Sequence, residues 1–102
     1  MKGIIYLICD PLTDSFKIGV TKRDVIKRLK ELQTGSSGEL FIKSTFNSNH
    51  PYQLEKMLHR KYFSKKMINE WFALDIDDIN DFLYNCDKYE SILNSIESFK
   101  YI

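Results

Sequence analysis

The stretch Ile4-Ile5-Tyr6-Leu7-Ile8-Cys9-Asp10-Pro11-Leu12-Thr13-Asp14-Ser15-Phe16-Lys17-Ile18-Gly19-Val20 decides the architecture. Ile4 to Cys9 is a β-rich run. It stops at Asp10-Pro11, because proline has no N–H to give to a ladder. Residues 10–14 are turn-forming. Phe16 to Val20 is a second run, with Lys17 alternating against Phe16 and Ile18. The link between the two runs is short, so they pair as a hairpin.

Working outward, Thr21 or Asp24 can cap a helix at about residues 23–33, whose apolar positions Val25, Leu29 and Leu32 recur at i, i+4 and i+7. Gly35-Ser36-Ser37-Gly38 closes it. Leu40 to Phe46 reads as a third strand, broken by Asn47-Ser48-Asn49-His50-Pro51. Asn49 can cap a second helix with Pro51 in its first turn. That helix runs to about residue 65 and buries Leu54, Met57, Leu58 and Tyr62. Glu70 to Leu74 is short and extended. Asp75 or Asp77 caps a third helix with inner face Ile76, Ile79, Phe82 and Leu83. A last helix carries Tyr89, Ile92, Leu93 and Ile96. The order predicts an α+β fold: a three-stranded sheet with a β-β-α-β-α core flanked by helices, plus two C-terminal helices.

Composition sets the bounds. The 102 residues suffice for a single domain, spanning 1–102, and 43 % of them are apolar, enough for one core. Charged residues at 28 % and aromatics at 14 % argue against disorder. No run approaches the roughly 18 apolar residues of a membrane helix. The opening apolar run is short for a signal peptide and lacks a small-residue cleavage site. Cys9 and Cys86 make no disulfide framework, and no Cys/His spacing suggests zinc. The expectation is a soluble, reduced, cytoplasmic protein, or one acting in a host cell's interior if it is viral.

The net charge of +1 hides an asymmetry. Residues 1–66 carry 13 Lys/Arg against 6 Asp/Glu, or +7; residues 67–102 carry 2 against 8, or −6. Steering of a polyanion responds to the local field, so the first two thirds suit nucleic acid and the last third does not. The acidic positions Asp77, Asp78, Asp81, Asp87, Glu90 and Glu97 face outward from helices that extend the core. A homodimer surface, or an acidic surface that shields the basic region, is the sharper use of the same segment.

Five residues inside predicted elements form a candidate chemical group: Tyr6, Lys17, Arg28, Glu55 and His59. Arg28 falls about 60° from Val25 on the helical wheel, at the border of the apolar face. Glu55 and His59 are four apart and share a helix face. The mix suits phosphoryl chemistry. A carboxylate holds a divalent cation, an arginine fork matches a phosphate, and a phenol or a metal-bound water supplies the base or nucleophile. Each residue also has a plainer explanation alone: Tyr6 as a strand aromatic, Lys17 on the solvent side, Glu55 and His59 as a surface pair.

The arrangement resembles a known family. Ile4-Ile5-Tyr6, followed eleven residues after Tyr6 by Lys17-Ile18-Gly19, is similar to the paired motif of the GIY-YIG nuclease superfamily. More narrowly, it resembles the small phage- and virus-associated branch whose second motif reads KIG. Gly19-Val20-Thr21-Lys22-Arg23, Lys27-Arg28-Leu29 and Leu32-Gln33-Thr34-Gly35 continue the likeness. So do Leu54-Glu55-Lys56-Met57-Leu58-His59, resembling an LExxLH helix, and Asn69-Glu70-Trp71-Phe72, resembling an EWF segment. The resemblance covers about residues 3–74 and leaves 75–102 as a helical extension.

The resemblance implies the same core order and cleavage of DNA phosphodiesters with one divalent cation, Mg²⁺ or Mn²⁺. It implies Tyr6 as the catalytic phenol and Lys17 standing where many relatives have a second tyrosine, there to lower the Tyr6 pKa or to contact phosphate. It implies Arg28 stabilising the phosphorane, Glu55 holding the metal, and His59 protonating a leaving oxygen or binding phosphate. Lys22, Arg23, Lys27 and Lys30 are the expected DNA-binding surface, with little sequence preference. Two departures stand out: Ile4 replaces the name-giving glycine, and Leu32 stands where some relatives carry a catalytic histidine. The alternative is a module that keeps the fold without catalysis and binds nucleic acid, a nucleotide or a protein partner.

Overall fold

The computed structural model describes residues 2–99; Met1 and residues 100–102, the tail of the expected C-terminal extension, lie outside them. Strands β1 (Gly3–Asp10), β2 (Ser15–Thr21), β3 (Phe41–Ser48) and β4 (Trp71–Phe72) form one sheet in the order β3-β1-β2-β4. Its neighbouring strands all run antiparallel. The helices are α1 (Val25–Thr34), α2 (Pro51–Lys61) and α3 (Ile76–Phe99), with a 3₁₀ turn at Phe63–Lys65.

The β1–β2 hairpin forms where the sequence places it. Its register runs from Ile4↔Thr21 to Asp10↔Ser15 and sets Tyr6 opposite Gly19 and Ile8 opposite Lys17. The Asp10 carboxylate accepts from the Leu12 amide at 3.0 Å, and Asp14 takes φ 52°, so the turn is closed by residues that tolerate it. Strand alternation then divides the side chains between two cores. Ile5, Leu7, Phe16, Ile18 and Phe72 meet Leu54 and Leu58 of α2 and Phe82 and Cys86 of α3. Tyr6 and Ile8 lie on the other face, with Val25, Leu29 and Leu32 of α1. Removing a side chain such as Leu58, fully buried, costs about 2–5 kcal/mol. Both cysteines are buried and free.

Two expectations are corrected. The sheet has four strands, not three, because Trp71 and Phe72 pair with Lys17 and Phe16. The extended segment was visible in the sequence, but its partner lies more than fifty residues away. The two C-terminal helices are one helix of 24 residues. Residues 84–88 contain no glycine or proline to break it, and Asn85 and Cys86 are buried rather than looped out. Asp24 caps α1 by accepting from the Ile26 amide at 2.9 Å. Asp75 and Asp78 cap α3 reciprocally, at 2.9 and 3.0 Å. The α2 cap position falls on His50 instead of Asn49, with no side-chain cap bond. Glu90, expected to face outward, is instead buried: its carboxylate accepts from the Asn49 amide at 2.7 Å, which ties α3 to the start of α2.

Candidate active site

Tyr6 is 1 % exposed, and its ring lies against the backbone of Gly19. A Cβ on Gly19 would overlap the phenol, so glycine is what leaves room for the ring. The phenol oxygen accepts from Arg28 Nε at 3.3 Å. Arg28 Nη1 donates to Glu31 at 3.3 Å, and Arg23 reaches the same carboxylate at 3.2 Å. Helical spacing explains the placement: Arg28 borders the face of α1 that covers the sheet, and Glu31 is one turn later. Burial raises the Tyr6 pKa, and the hydrogen bond and charge of Arg28 oppose that rise without cancelling it. Arg28 and Arg23 hold Glu31 below the usual carboxylate range.

Lys17, a solvent-side residue when taken alone and a member of the chemical group by resemblance, is 7 % exposed. Alternation does separate it from Phe16 and Ile18, but the face it occupies is covered by Trp71. Its ammonium lies 5.7 Å from the Trp71 ring centre and 3.2 Å from Glu70. The backbone fixes that pairing, since the Ile18 amide donates to the Glu70 carbonyl at 3.2 Å. The cation that acts on the Tyr6 phenol is therefore Arg28, with Lys17 neutralised by Glu70.

Helix α2 lies on the face of the sheet opposite α1. Pro51 sits against Gly3 at one end of it, and His59 Nε2 donates to the Ile18 carbonyl at 2.7 Å at the other. Glu55, midway, runs alongside β2 between those points. Past the hydrogen bond from Ile18 to Glu70, β4 no longer pairs with β2. The charges register the meeting: Glu55 acts on Tyr6, and Glu70 and Lys17 act on Glu55. Burial first and Glu70 second push the Glu55 carboxyl up to about 7. Among the described residues it has no ion-pair or hydrogen-bond partner.

His59 is placed differently from the rest. Its Nε2 is committed to the main chain, and its ring packs edge-on to Phe72 at 5.0 Å. Of the basic surface, Arg23 is engaged by Glu31 and Lys22 lies 5.6 Å from the Tyr52 ring, while Lys27 and Lys30 are exposed. Leu32 packs in the Tyr6 and Ile8 core. Glu31 and Glu70 were not singled out from sequence. Glu31 carried a usable signal, three residues after Arg28; Glu70 was visible only as part of the EWF-like segment, and its place beside Lys17 follows from β4 lying beside β2.

Glu55 could hold a divalent cation: the carboxylate is half-buried, forms no ion pair among the described residues, and is raised first by burial and then by Glu70. Among the described residues no group of three or more His, Cys, Asp or Glu could form a metal cage. Any ion held there would need its other ligands from outside the protein, such as water.

The sequence family described as the T5orf172 domain matches residues 3–87. A glutamyl-tRNA reductase of Shouchella clausii (strain KSM-K16) is 32 % identical over 69 residues, covering 66 % of this chain and 15 % of that protein. The chain thus spans about 15 % of the length of that relative. No solved structure matches the chain. No helix among the described residues is long and apolar enough to cross a membrane.

Proposed function

The chain belongs to the T5orf172 domain family, a nuclease-like family, and we propose that it is a metal-dependent endonuclease of the GIY-YIG type, hydrolysing DNA phosphodiester bonds with little sequence preference. The observation that carries the reading is the Arg28 Nε to Tyr6 Oη contact of 3.3 Å beside a half-buried, unpartnered Glu55.

The residues divide the work. Arg28 uses Nε on Tyr6 and Nη1 on Glu31, which leaves Nη2 to meet a phosphate oxygen. Charge that builds on the phosphate in the transition state meets a guanidinium already held in place. Tyr6, kept protonated by burial, orients the attacking water and stands ready to exchange a proton with it. Glu55 would hold Mg²⁺ or Mn²⁺, which supplies charge neutralisation at the phosphate. Water adds to phosphorus, the P–O bond to one flanking sugar breaks, and the leaving oxygen takes a proton. Lys27 and Lys30 attract the backbone without reading sequence.

One observation favours a second reading. Leu32 fills with apolar packing the place where some relatives of the superfamily carry a histidine. A non-catalytic DNA-binding module would keep the basic surface and lose turnover. Plasmid nicking with and without Mg²⁺ or Mn²⁺ separates the two. Metal-dependent nicking by the parent and none by Glu55→Gln supports the nuclease. No nicking by a clean parent preparation, across several metals and DNA forms, overturns it.

A further inference from the structure

Trp71 and Phe72 are adjacent in β4 and part company. Phe72 is fully buried against α2 and α3, whereas Trp71 turns to the α1 face and is only half covered. Lys17 lies against the ring from within the sheet. In front of it is a depression of about 510 Å³, bounded by the residues 34–37 loop after α1 and by Asn69. That volume falls within the roughly 300–1,000 Å³ of small-ligand sites. Its walls are chemically specific. Trp71 offers an aromatic face and Leu32 an apolar contact, with Lys17, paired to Glu70, behind the ring and the Asp10 carboxylate at the wall. The Asn69 amide and the Ser37 hydroxyl line it without a hydrogen-bond partner among the described residues. Asn69 is held at φ 57°, in the left-handed region, so the turn that presents it is a defined one. Glu31 also lines the depression, and Glu31 is bonded to Arg28. The depression therefore begins one side chain away from the arginine assigned to the phosphate.

We infer that this depression is a nucleobase subsite: it takes one unpaired base of the strand bound at Arg28, stacked on Trp71. The inference rests on the proposed DNA reading of the neighbouring site and adds the substrate form to it. Every base has a π-face, so stacking on tryptophan tolerates any sequence. A base inside a duplex must first leave its stack, so DNA already unpaired at that position is favoured. The preferred substrate class is single-stranded, frayed or mismatched DNA over intact duplex.

Trp71 is the sole tryptophan of the chain, so its fluorescence reports the subsite directly. In EDTA, titration of the full chain with a twelve-residue oligothymidylate quenches that fluorescence. An oligomer of equal charge built of abasic nucleotides binds without comparable quenching. Trp71→Leu, checked for fold by circular dichroism, weakens the oligothymidylate about tenfold, and Trp71→Phe stays within about twofold of the parent. Equal quenching by the two oligomers overturns the subsite without any variant being made. So does Trp71→Leu cleaving with parental KM and kcat, a result that leaves the nuclease reading intact. Quenching by oligothymidylate in a chain that nicks no DNA does the reverse: it keeps the subsite and removes the nuclease.

Discussion

The Tyr6 phenol occupies the space that a side chain at Gly19 would need, directly across the β1–β2 ladder. The glycine of the second strand is thus a packing requirement of the tyrosine of the first. Gly19→Ala must move the ring or the strand. Overpacking of this kind costs about 1–3 kcal/mol, and the displaced phenol loses its contact with Arg28. Thermal unfolding should show a lower Tm, and nicking should fall at least tenfold by rough comparison with other active-site displacements. A parental rate and Tm would show that the two residues are not coupled.

Arg28→Ala separates catalysis from attraction. Loss of a transition-state contact typically costs about a hundredfold in rate, roughly 2.7 kcal/mol and upwards. DNA affinity should stay close to the parent's. Lys27→Ala and Lys30→Ala should instead weaken binding and each lower the log–log salt slope by about 0.9. Arg23→Ala should do less than either, because Glu31 already engages that guanidinium. Filter binding across a salt series, run beside single-turnover cleavage, checks all four.

Glu55 links function to stability through pH. Its carboxyl is pushed up to about 7 from an ordinary 4.5. Between those values the folded chain holds a proton that the unfolded chain has released. Stability therefore declines as pH rises through that window, by no more than about 3 kcal/mol and less after screening by solvent. Glu55→Gln has no proton to lose. Urea unfolding at pH 5 and pH 8 should show a smaller difference for this variant than for the parent, with the variant the more stable at pH 8. A pH dependence identical in the two chains would mean the carboxyl is not raised.

Glu90 gives a control that touches no candidate chemistry. Its buried carboxylate accepts from Ser48 Oγ and from the Asn49 amide, both at 2.7 Å. Glu90→Ala strands both donors and should cost about 1–3 kcal/mol. Nicking measured well below the lowered Tm should stay near the parental rate. A collapse of activity in the folded variant would place α3 in the reaction.

The parts that were legible in the sequence are those set by near neighbours. The hairpin could be read from Pro11 and two alternating runs, and the α1 start from Asp24. Arg28 could be placed at a helix border by arithmetic alone. Non-local cover was not legible. Alternation put Lys17 on the face away from Phe16, but only β4 reveals that Trp71 and Glu70 close over it. The same gap hid the fourth strand. The two apolar sets at 76–83 and 89–96 suggested two helices, when burial of Asn85 and Cys86 between them holds one helix together.

Strand β4 pairs with β2 through two residues only, yet Glu70 and Trp71 hang on it. Amide protection in a protein follows the size of the unit that must open, and this is the thinnest unit in the sheet. Any opening of the outer wall should therefore precede opening of the β1–β2–β3 ladder. Hydrogen exchange would show it as the Ile18 amide, which donates to Glu70, exchanging ahead of those in β1. Opening there would free Lys17 from Glu70 and uncover the Trp71 ring in a single motion, against the cost of drawing Phe72 out of the core.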